Sequence, residues 1–146
     1  MTEAEWMTCR NPERLLAFAG KRVSHRKVNL FHVARLRALW AKLVLRPGQS
    51  VEPAVYYAAR DQPEQLVADA DLLRHIIGNP FHPASALLDL PSTITRLAEA
   101  LHACTDCAFA LRDALLESGH VELAEHFTER DHPKGCWALD LILGKW

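Results

Sequence analysis

Signals that begin and end helices recur along the whole chain and constrain its fold more than any other feature. Thr2 followed three residues later by Glu5 is typical of a capping box, and Asn11 before Pro12 predicts a second helix start. The longest helix is predicted over residues 24–45. Further helices are predicted from Ser50, from Pro63 to Gly78, over 93–103 after a Ser92 cap, over 107–118 after an Asp106 cap, over 121–127 and over 135–143.

The same pattern fixes the expected fold class. Runs of alternating β-branched residues are absent, so no strand is predicted. At 146 residues, of which 49% are hydrophobic and 24% charged, the chain has the size and composition of one soluble globular domain. We expect residues 1–146 to form a compact all-α domain, a bundle of about seven or eight short-to-medium helices around a central long helix.

The cellular compartment is predicted from what the sequence lacks. No apolar run approaches the ~20 residues that cross a bilayer, and the acidic N-terminal residues do not resemble a signal peptide. Four cysteines allow disulfide pairing by number, but a chain of this length needs no disulfides to hold its core. We therefore expect a cytoplasmic protein with reduced thiols and no membrane contact.

The basic residues of the chain are concentrated in one segment. Residues 21–46 hold eight Lys and Arg side chains and no Asp or Glu, whereas residues 47–146 hold seven basic and fifteen acidic side chains. The formal charge is therefore +8 for the first segment and −8 for the second, although the whole chain carries only −1. Such polarisation indicates either an anionic partner or charge pairing inside the protein.

The predicted helix over 24–45 separates its residues by face. At 100° per residue, six apolar side chains fall within about 140° of arc and predict a core-facing stripe. They are Val33, Leu36, Leu39, Trp40, Leu43 and Val44. Arg35, Lys42 and Arg46 align on one flank, and together with Arg26 and Lys27 they are the candidate contacts to a nucleic-acid backbone.

Internal pairing is the alternative for this cationic row. The acidic helices of the same fold offer Glu117, Glu122, Glu125 and Glu129 as partners. No aromatic side chain interleaves with the row in the way that stacks bases, since Trp40 falls on the predicted core stripe. Nucleic-acid binding is therefore our second hypothesis, behind binding to a protein partner.

Two groups of residues contain ligands that zinc prefers. His102, Cys104 and Cys107 include a Cys-x-x-Cys pair, but no second pair follows at the usual spacing, so packing of the two cysteines as small hydrophobic residues is the simpler explanation.

The second group is His126, His132, Cys136 and Asp140, which brings nitrogen, sulfur and oxygen donors to the C-terminal part of the chain. Zinc is the cofactor that this group would hold. The alternative is that His132 makes a hydrogen bond near a helix start and that Cys136 packs beside Trp137.

Catalytic motifs are absent from the sequence. It contains no Gly-x-Ser-x-Gly, Ser-x-x-Lys or His-Glu-x-x-His motif and no glycine-rich phosphate loop. A nucleophilic pair of Cys136 with His132 or His126 has no further support in the sequence. We therefore name no catalytic residue and expect a non-enzymatic protein-interaction or accessory module.

Several motifs resemble a known family. Met1-Thr-Glu-Ala-Glu-Trp6, Gly78-Asn-Pro-Phe-x-Pro83 and His132-x-x-Gly-Cys-Trp-x-x-Asp-Leu-x-Leu-Gly-Lys145 are similar to motifs of a family of uncharacterised small bacterial proteins of the planctomycete type. The resemblance spans nearly the whole chain but implies no activity, cofactor or partner. Members of that family often carry cysteines where this chain has Val33, Arg35 and Leu36, whereas His126, His132 and Cys136 match the family pattern.

Overall fold

The computed structural model describes residues 1–20, 22–42, 59–82, 90–103, 106–128 and 132–145, and all regular secondary structure within them is helical. The all-α prediction is confirmed. Within these ranges, eight α-helices and one 3₁₀ turn have the following bounds: α1 Glu3–Thr8, α2 Pro12–Ala19, α3 His25–Lys42, α4 Pro63–Ile77, α5 Ser92–His102, α6 Ala108–Glu117, α7 Val121–Glu125, the 3₁₀ turn His126–Thr128, and α8 Trp137–Ile142.

The helices form two compact units. The first comprises Met1–Phe81 and the second His82–Trp146. The prediction of one domain over residues 1–146 stays a prediction. The helix predicted from Ser50 lies outside the described residues.

The first two helices begin where their capping residues predict. The Thr2 hydroxyl accepts a hydrogen bond from the Glu5 backbone N–H at 3.2 Å, and the Glu5 carboxylate accepts one from the Thr2 N–H at 2.7 Å. The same hydrogen bond lowers the pKa of Glu5. In α2 the Asn11 side chain accepts from the N–H groups of Glu13 and Arg14. Both predicted N-termini are thus confirmed, because the caps satisfy backbone donors that the helix itself leaves unpaired.

Replacing Asn11 with alanine should remove two of these hydrogen bonds at once. We expect a loss of about 1 kcal/mol in the free energy of unfolding, the usual effect of deleting an N-cap. Urea unfolding followed by circular dichroism would measure it. Asn11→Asp should keep the stability, because a carboxylate caps equally well, and an equal loss in both variants would contradict the capping role.

Hydrophobic side chains of four helices build the core of the first unit. Helix α4 packs against both α2 and α3. The core side chains are Trp6, Leu15, Ala19, Phe31, Ala70, Leu73 and Ile76. The ring of Phe81, just after α4, stacks on Phe18 with a centroid distance of 5.4 Å. The chain can turn there because Gly78 adopts φ 81°, a conformation that is unfavourable for residues with a side chain.

Helix α3 turns a different face to the core from the one predicted. Its buried residues recur at intervals of four and are Lys27, Phe31, Arg35 and Leu39. Val33, Leu36 and Trp40 are 44%, 40% and 49% exposed, so the predicted stripe is wrong for these three residues and right for Leu39. Leu43 and Val44 lie outside the described residues.

The predicted face was wrong because two cations, Lys27 and Arg35, lie on the buried face of α3. The Lys27 ammonium donates a hydrogen bond to the Ile76 carbonyl at 2.9 Å, and the Arg35 guanidinium pairs with Asp69 at 2.5 Å. Buried charges are tolerated when they are paired in this way, so hydrophobicity alone pointed to the opposite face.

The second unit is built around α6. Helices α5 and α7 and the 3₁₀ turn pack against α6, and α8 packs against α5. Ser92 is the first residue of α5 rather than its cap, and Cys107 rather than Asp106 precedes α6, without a side-chain capping bond. The innermost side chains of this core are Ile94, Ala98, Ala108, Leu111, Leu115, Ala124, Phe127, Cys136 and Ala138.

Candidate metal centre

The C-terminal cluster of potential ligands is formed by a turn, a loop and a helix start in the second unit. His126 begins the 3₁₀ turn that continues α7, and Cys136 is the residue directly before α8. Gly135 adopts φ 90°, and the Cys136 N–H donates to the Pro133 carbonyl at 3.0 Å. This tight turn brings the thiol of Cys136 back towards the histidine that lies ten residues earlier in the chain.

Three donor atoms of the second unit meet in this cluster. The Nε2 atom of His126 lies 2.9 Å from the Sγ atom of Cys136, and the Nδ1 atom of His132 lies 3.8 Å from the same sulfur. The donor atoms of all three residues lie within 4.8 Å of one another. The sulfur of Cys136 is fully buried with its residue, whereas both histidines are partly exposed.

Aromatic neighbours hold the two imidazoles in place. The His126 ring makes edge contacts with Trp137 and Phe127 at centroid distances of 5.0 and 5.3 Å. The His132 ring lies 4.9 Å from that of Phe127, which is itself completely buried. Since these contacts fix the ring planes, the nitrogen atoms that face Cys136 do so without free rotation of the side chains.

The distances in the cluster match a tetrahedral ion. Zn–S and Zn–N bonds of the usual lengths place sulfur and nitrogen ligands about 3.5 Å apart. The two sulfur–nitrogen distances, 2.9 and 3.8 Å, lie on either side of this value. Side-chain shifts of about 0.6 and 0.3 Å would therefore bring these two sulfur–nitrogen distances to the value expected around one ion.

Asp140 does not belong to this group of donors. It lies one helical turn after Cys136, and its backbone N–H donates to the Cys136 carbonyl at 3.0 Å. The side chain is completely buried. Yet the mutually close donor atoms of the second unit are those of His126, His132 and Cys136, without an Asp140 oxygen. The sequence predicted both side chains on one face of the last helix, because residues four apart share a face. Cys136 precedes that helix, so the rule does not apply to it and its side chain points in a different direction from that of Asp140.

The other cysteine group has a different arrangement. Cys107 donates its S–H to the Leu97 carbonyl at 3.4 Å. Burial raises the pKa of the Cys107 thiol, and the nearby Asp106 carboxylate raises it further. A zinc ligand must be a thiolate, so both effects favour the interpretation of Cys107 as a packed cysteine. Cys104 lies outside the described residues.

The five candidate nucleic-acid contacts differ in their exposure to solvent. Arg35 and Lys27 are buried and bonded within the first unit, so their charges are directed inwards. Arg26 is partly exposed on α3. Arg46 and the side chain of Lys42 lie outside the described part of the chain, and nucleic-acid binding through these residues stays a prediction.

The acid that pairs with Arg35 was not among those suggested by the sequence. It is Asp69 on α4, whose second carboxylate oxygen accepts from the Gln65 side chain at 2.7 Å. Asp69 and Gln65 lie one turn apart on a face that also carries Ala70 and Leu73. The sequence did contain a signal for this ion pair, because a charged residue such as Asp69 at a core-facing position of a helix is rarely buried without a partner.

In the described ranges, none of the helices combines the length and the apolar character that crossing a membrane requires. Comparisons of the chain with known protein families, with curated proteins and with solved structures find no match. The resemblance to the planctomycete-type family stays a prediction.

Proposed function

We propose that this protein is a small helical binding protein whose second unit holds a zinc ion through His126, His132 and Cys136. The observation that carries the proposal is the convergence of two imidazole nitrogens and one sulfur within 4.8 Å. Zinc prefers this combination of ligands, whereas magnesium and calcium prefer oxygen atoms. His126, His132 and Cys136 would supply three of the four donors that a tetrahedral zinc ion takes.

A structural role suits this ion better than a catalytic one. The sulfur ligand belongs to a fully buried residue, and Phe127 and Trp137 pack against the imidazoles. An ion held here would join the 3₁₀ turn after α7 to the start of α8. Because metal binding to such a site is coupled to folding, the ion would stabilise the C-terminal end of the second unit.

The family resemblance and the state of the thiols support the same proposal. His132 and Cys136 belong to the C-terminal motif that resembles the planctomycete-type family, and we propose membership of that family. Cys136 forms no disulfide with a described cysteine, and we propose a cytoplasmic location because thiols there stay reduced.

The metal content of the purified protein tests the proposal directly. Protein purified without a histidine tag should contain one zinc ion per chain by elemental analysis. His132→Ala and Cys136→Ala should lose it, because each removes one of the three ligands. Cobalt titration gives a second measurement, since a cobalt–thiolate bond produces a near-ultraviolet absorption that Cys136→Ala should abolish.

Two residues of the same unit provide matched controls. Cys107→Ala removes a partly exposed cysteine and His120→Ala a partly exposed histidine, both outside the cluster. Both variants should keep zinc. Folded wild-type protein that is free of metal and takes up neither zinc nor cobalt at neutral pH would refute the proposal.

A further inference from the structure

The first unit contains an open cavity where the end of α1, the link from α1 to α2 and one side of α4 meet. Its volume is about 480 Å³, within the range of sites that bind small molecules. All residues that line it belong to the first unit. The cavity is therefore separate from the zinc site proposed above.

Two guanidinium groups line this cavity. Arg10 lies in the link between α1 and α2, and Arg14 lies in the first turn of α2. Both residues are exposed, and neither forms a salt bridge with a described residue. Because a guanidinium donates two parallel hydrogen bonds to a planar anion, both groups are available to bind a carboxylate in the cavity.

These two cations, rather than the start of α2, supply the donors for such an anion. The Asn11 side-chain oxygen already accepts from the backbone N–H groups of Glu13 and Arg14, at 3.0 and 3.1 Å. The neighbouring link is held in place, because the Cys9 N–H donates to the Glu5 carbonyl at 2.9 Å and the Cys9 carbonyl accepts from Arg74. The wall of the cavity is therefore formed before a ligand arrives.

One carboxylate in the lining limits the charge of the ligand. The Glu5 carboxylate accepts a hydrogen bond from the Thr2 N–H, and this bond lowers the pKa of Glu5. The charges of the amino terminus and of Arg14 lower it further, so Glu5 is ionised at neutral pH. Two cations and one carboxylate leave the lining with a formal charge of +1. This charge matches a monoanion better than a dianion.

The rest of the wall is mainly apolar. Leu66 lines the cavity from α4 and is partly buried. The Thr8 hydroxyl donates to the Ala4 carbonyl at 2.8 Å, and the Cys9 thiol donates to the Asn11 carbonyl at 3.6 Å. Since both groups have acceptors within the protein, this part of the wall suits the hydrocarbon part of a ligand.

We propose that the cavity binds a small carboxylic acid with an apolar body. Its carboxylate lies between the guanidinium groups of Arg10 and Arg14, and its hydrocarbon part lies against Leu66. The volume of the cavity suits a molecule of this size rather than a segment of a macromolecule. This function goes beyond the zinc site and does not depend on it.

Cys9 provides a reporter inside the cavity, because its thiol is partly exposed there. Neutral iodoacetamide alkylates it when the thiolate attacks the methylene carbon and iodide leaves, and mass spectrometry of the Cys9 peptide gives the rate. We expect 4-methylpentanoate to slow this alkylation, with half-maximal protection at about 1 mM, an affinity within reach of so small a ligand. The uncharged 4-methylpentanamide has the same shape and should not protect.

Substitutions of the two arginines test the site of binding. Arg10→Gln and Arg14→Gln should each raise the concentration for half-maximal protection about tenfold, because each removes a charged hydrogen-bond donor. Arg37→Gln is the matched control, since Arg37 is an exposed arginine of the same unit outside the cavity. It should leave protection unchanged. Inorganic phosphate lacks an apolar part and should protect at least about tenfold less well than 4-methylpentanoate.

Alkylation of Cys107 in the same digests controls for general changes in thiol reactivity, because Cys107 lies in the second unit. Its rate should not respond to 4-methylpentanoate. The proposal would be overturned if 4-methylpentanoate did not protect Cys9, or if the amide or phosphate protected it equally well. Unchanged protection in both Arg10→Gln and Arg14→Gln would overturn it too. None of these outcomes depends on whether the second unit holds zinc.

Discussion

Replacing Asp69 with alanine should lower the free energy of unfolding by about 3–5 kcal/mol, because it leaves the Arg35 guanidinium buried without its counterion. The Nε atom of Arg35 lies 2.5 Å from Asp69, and both side chains are buried. The Nη2 atom of Arg35 is buried and makes no hydrogen bond to the described residues, so Asp69 is the main compensation for this charge. The Gln65 amide would also lose its acceptor.

Urea unfolding monitored by tryptophan fluorescence would measure this loss, since Trp6 is completely buried in the same unit. Asp61→Ala is the matched control. Asp61 also accepts a hydrogen bond from an arginine Nε, that of Arg60, at 2.8 Å, and this bond lowers the pKa of Asp61. The Asp61 carboxylate is exposed, so its removal should hardly change stability. Equal effects of the two substitutions would show that burial of the Arg35 pair is unimportant.

A double substitution distinguishes the pair from the space that it fills. Arg35→Met combined with Asp69→Leu replaces two charges with apolar side chains of similar size. We expect it to be much less destabilising than Asp69→Ala, because no unpaired charge remains in the core. A loss as large as that of the single substitution would attribute the effect to packing.

The limits of sequence-based prediction are clearest in α3. Helix starts at Thr2 and Asn11 were predictable because capping is local chemistry between residues two or three apart. The buried face of α3 was not, because Lys27 and Arg35 are stabilised by Ile76 and Asp69, which lie 49 and 34 residues away. Only the tertiary fold supplies such partners, and no hydrophobic periodicity can indicate them.

The candidate metal centre shows the same distinction. The residue types at positions 126, 132 and 136 indicated zinc chemistry, and the structure places their donor atoms together. Asp140 was predicted from helical spacing, which assumed that Cys136 lies inside the last helix. In the structure Cys136 has φ −45° and ψ 128°, outside helical geometry, so the spacing rule does not apply to it.

Replacing Arg74 with alanine should destabilise the first unit by about 3 kcal/mol, because one side chain holds the C-terminal end of α1. The Nε and Nη2 atoms of Arg74 donate to the Trp6 carbonyl at 3.0 and 2.8 Å, and Nη2 also donates to the Cys9 carbonyl. Hydrogen bonds to charged groups contribute about 1.5–3 kcal/mol each, and bonds that share a donor or an acceptor contribute less than their sum.

Arginine is required here for its geometry as well as its charge. A lysine ammonium cannot present two fixed N–H groups to one carbonyl and a third contact to another, so Arg74→Lys should recover only a small part of the lost stability. Asp71→Ala is the control, because it removes the 2.8 Å ion pair at Nη1 and leaves the carbonyl contacts intact. Asp71 is largely exposed, and its loss should cost little.

Hydrogen exchange locates the effect of Arg74→Ala. In this variant, amides of α1 should exchange faster than in the wild type, and the increase should be larger than in α6 of the second unit. The reason is that the carbonyl contacts of Arg74 fix α1 against α4. Trp6 is completely buried, so release of α1 would also expose its ring and shift its fluorescence to longer wavelength. Full stability in Arg74→Lys, or unchanged exchange in α1 of Arg74→Ala, would mean that the apolar contacts of Trp6 hold α1 without the guanidinium.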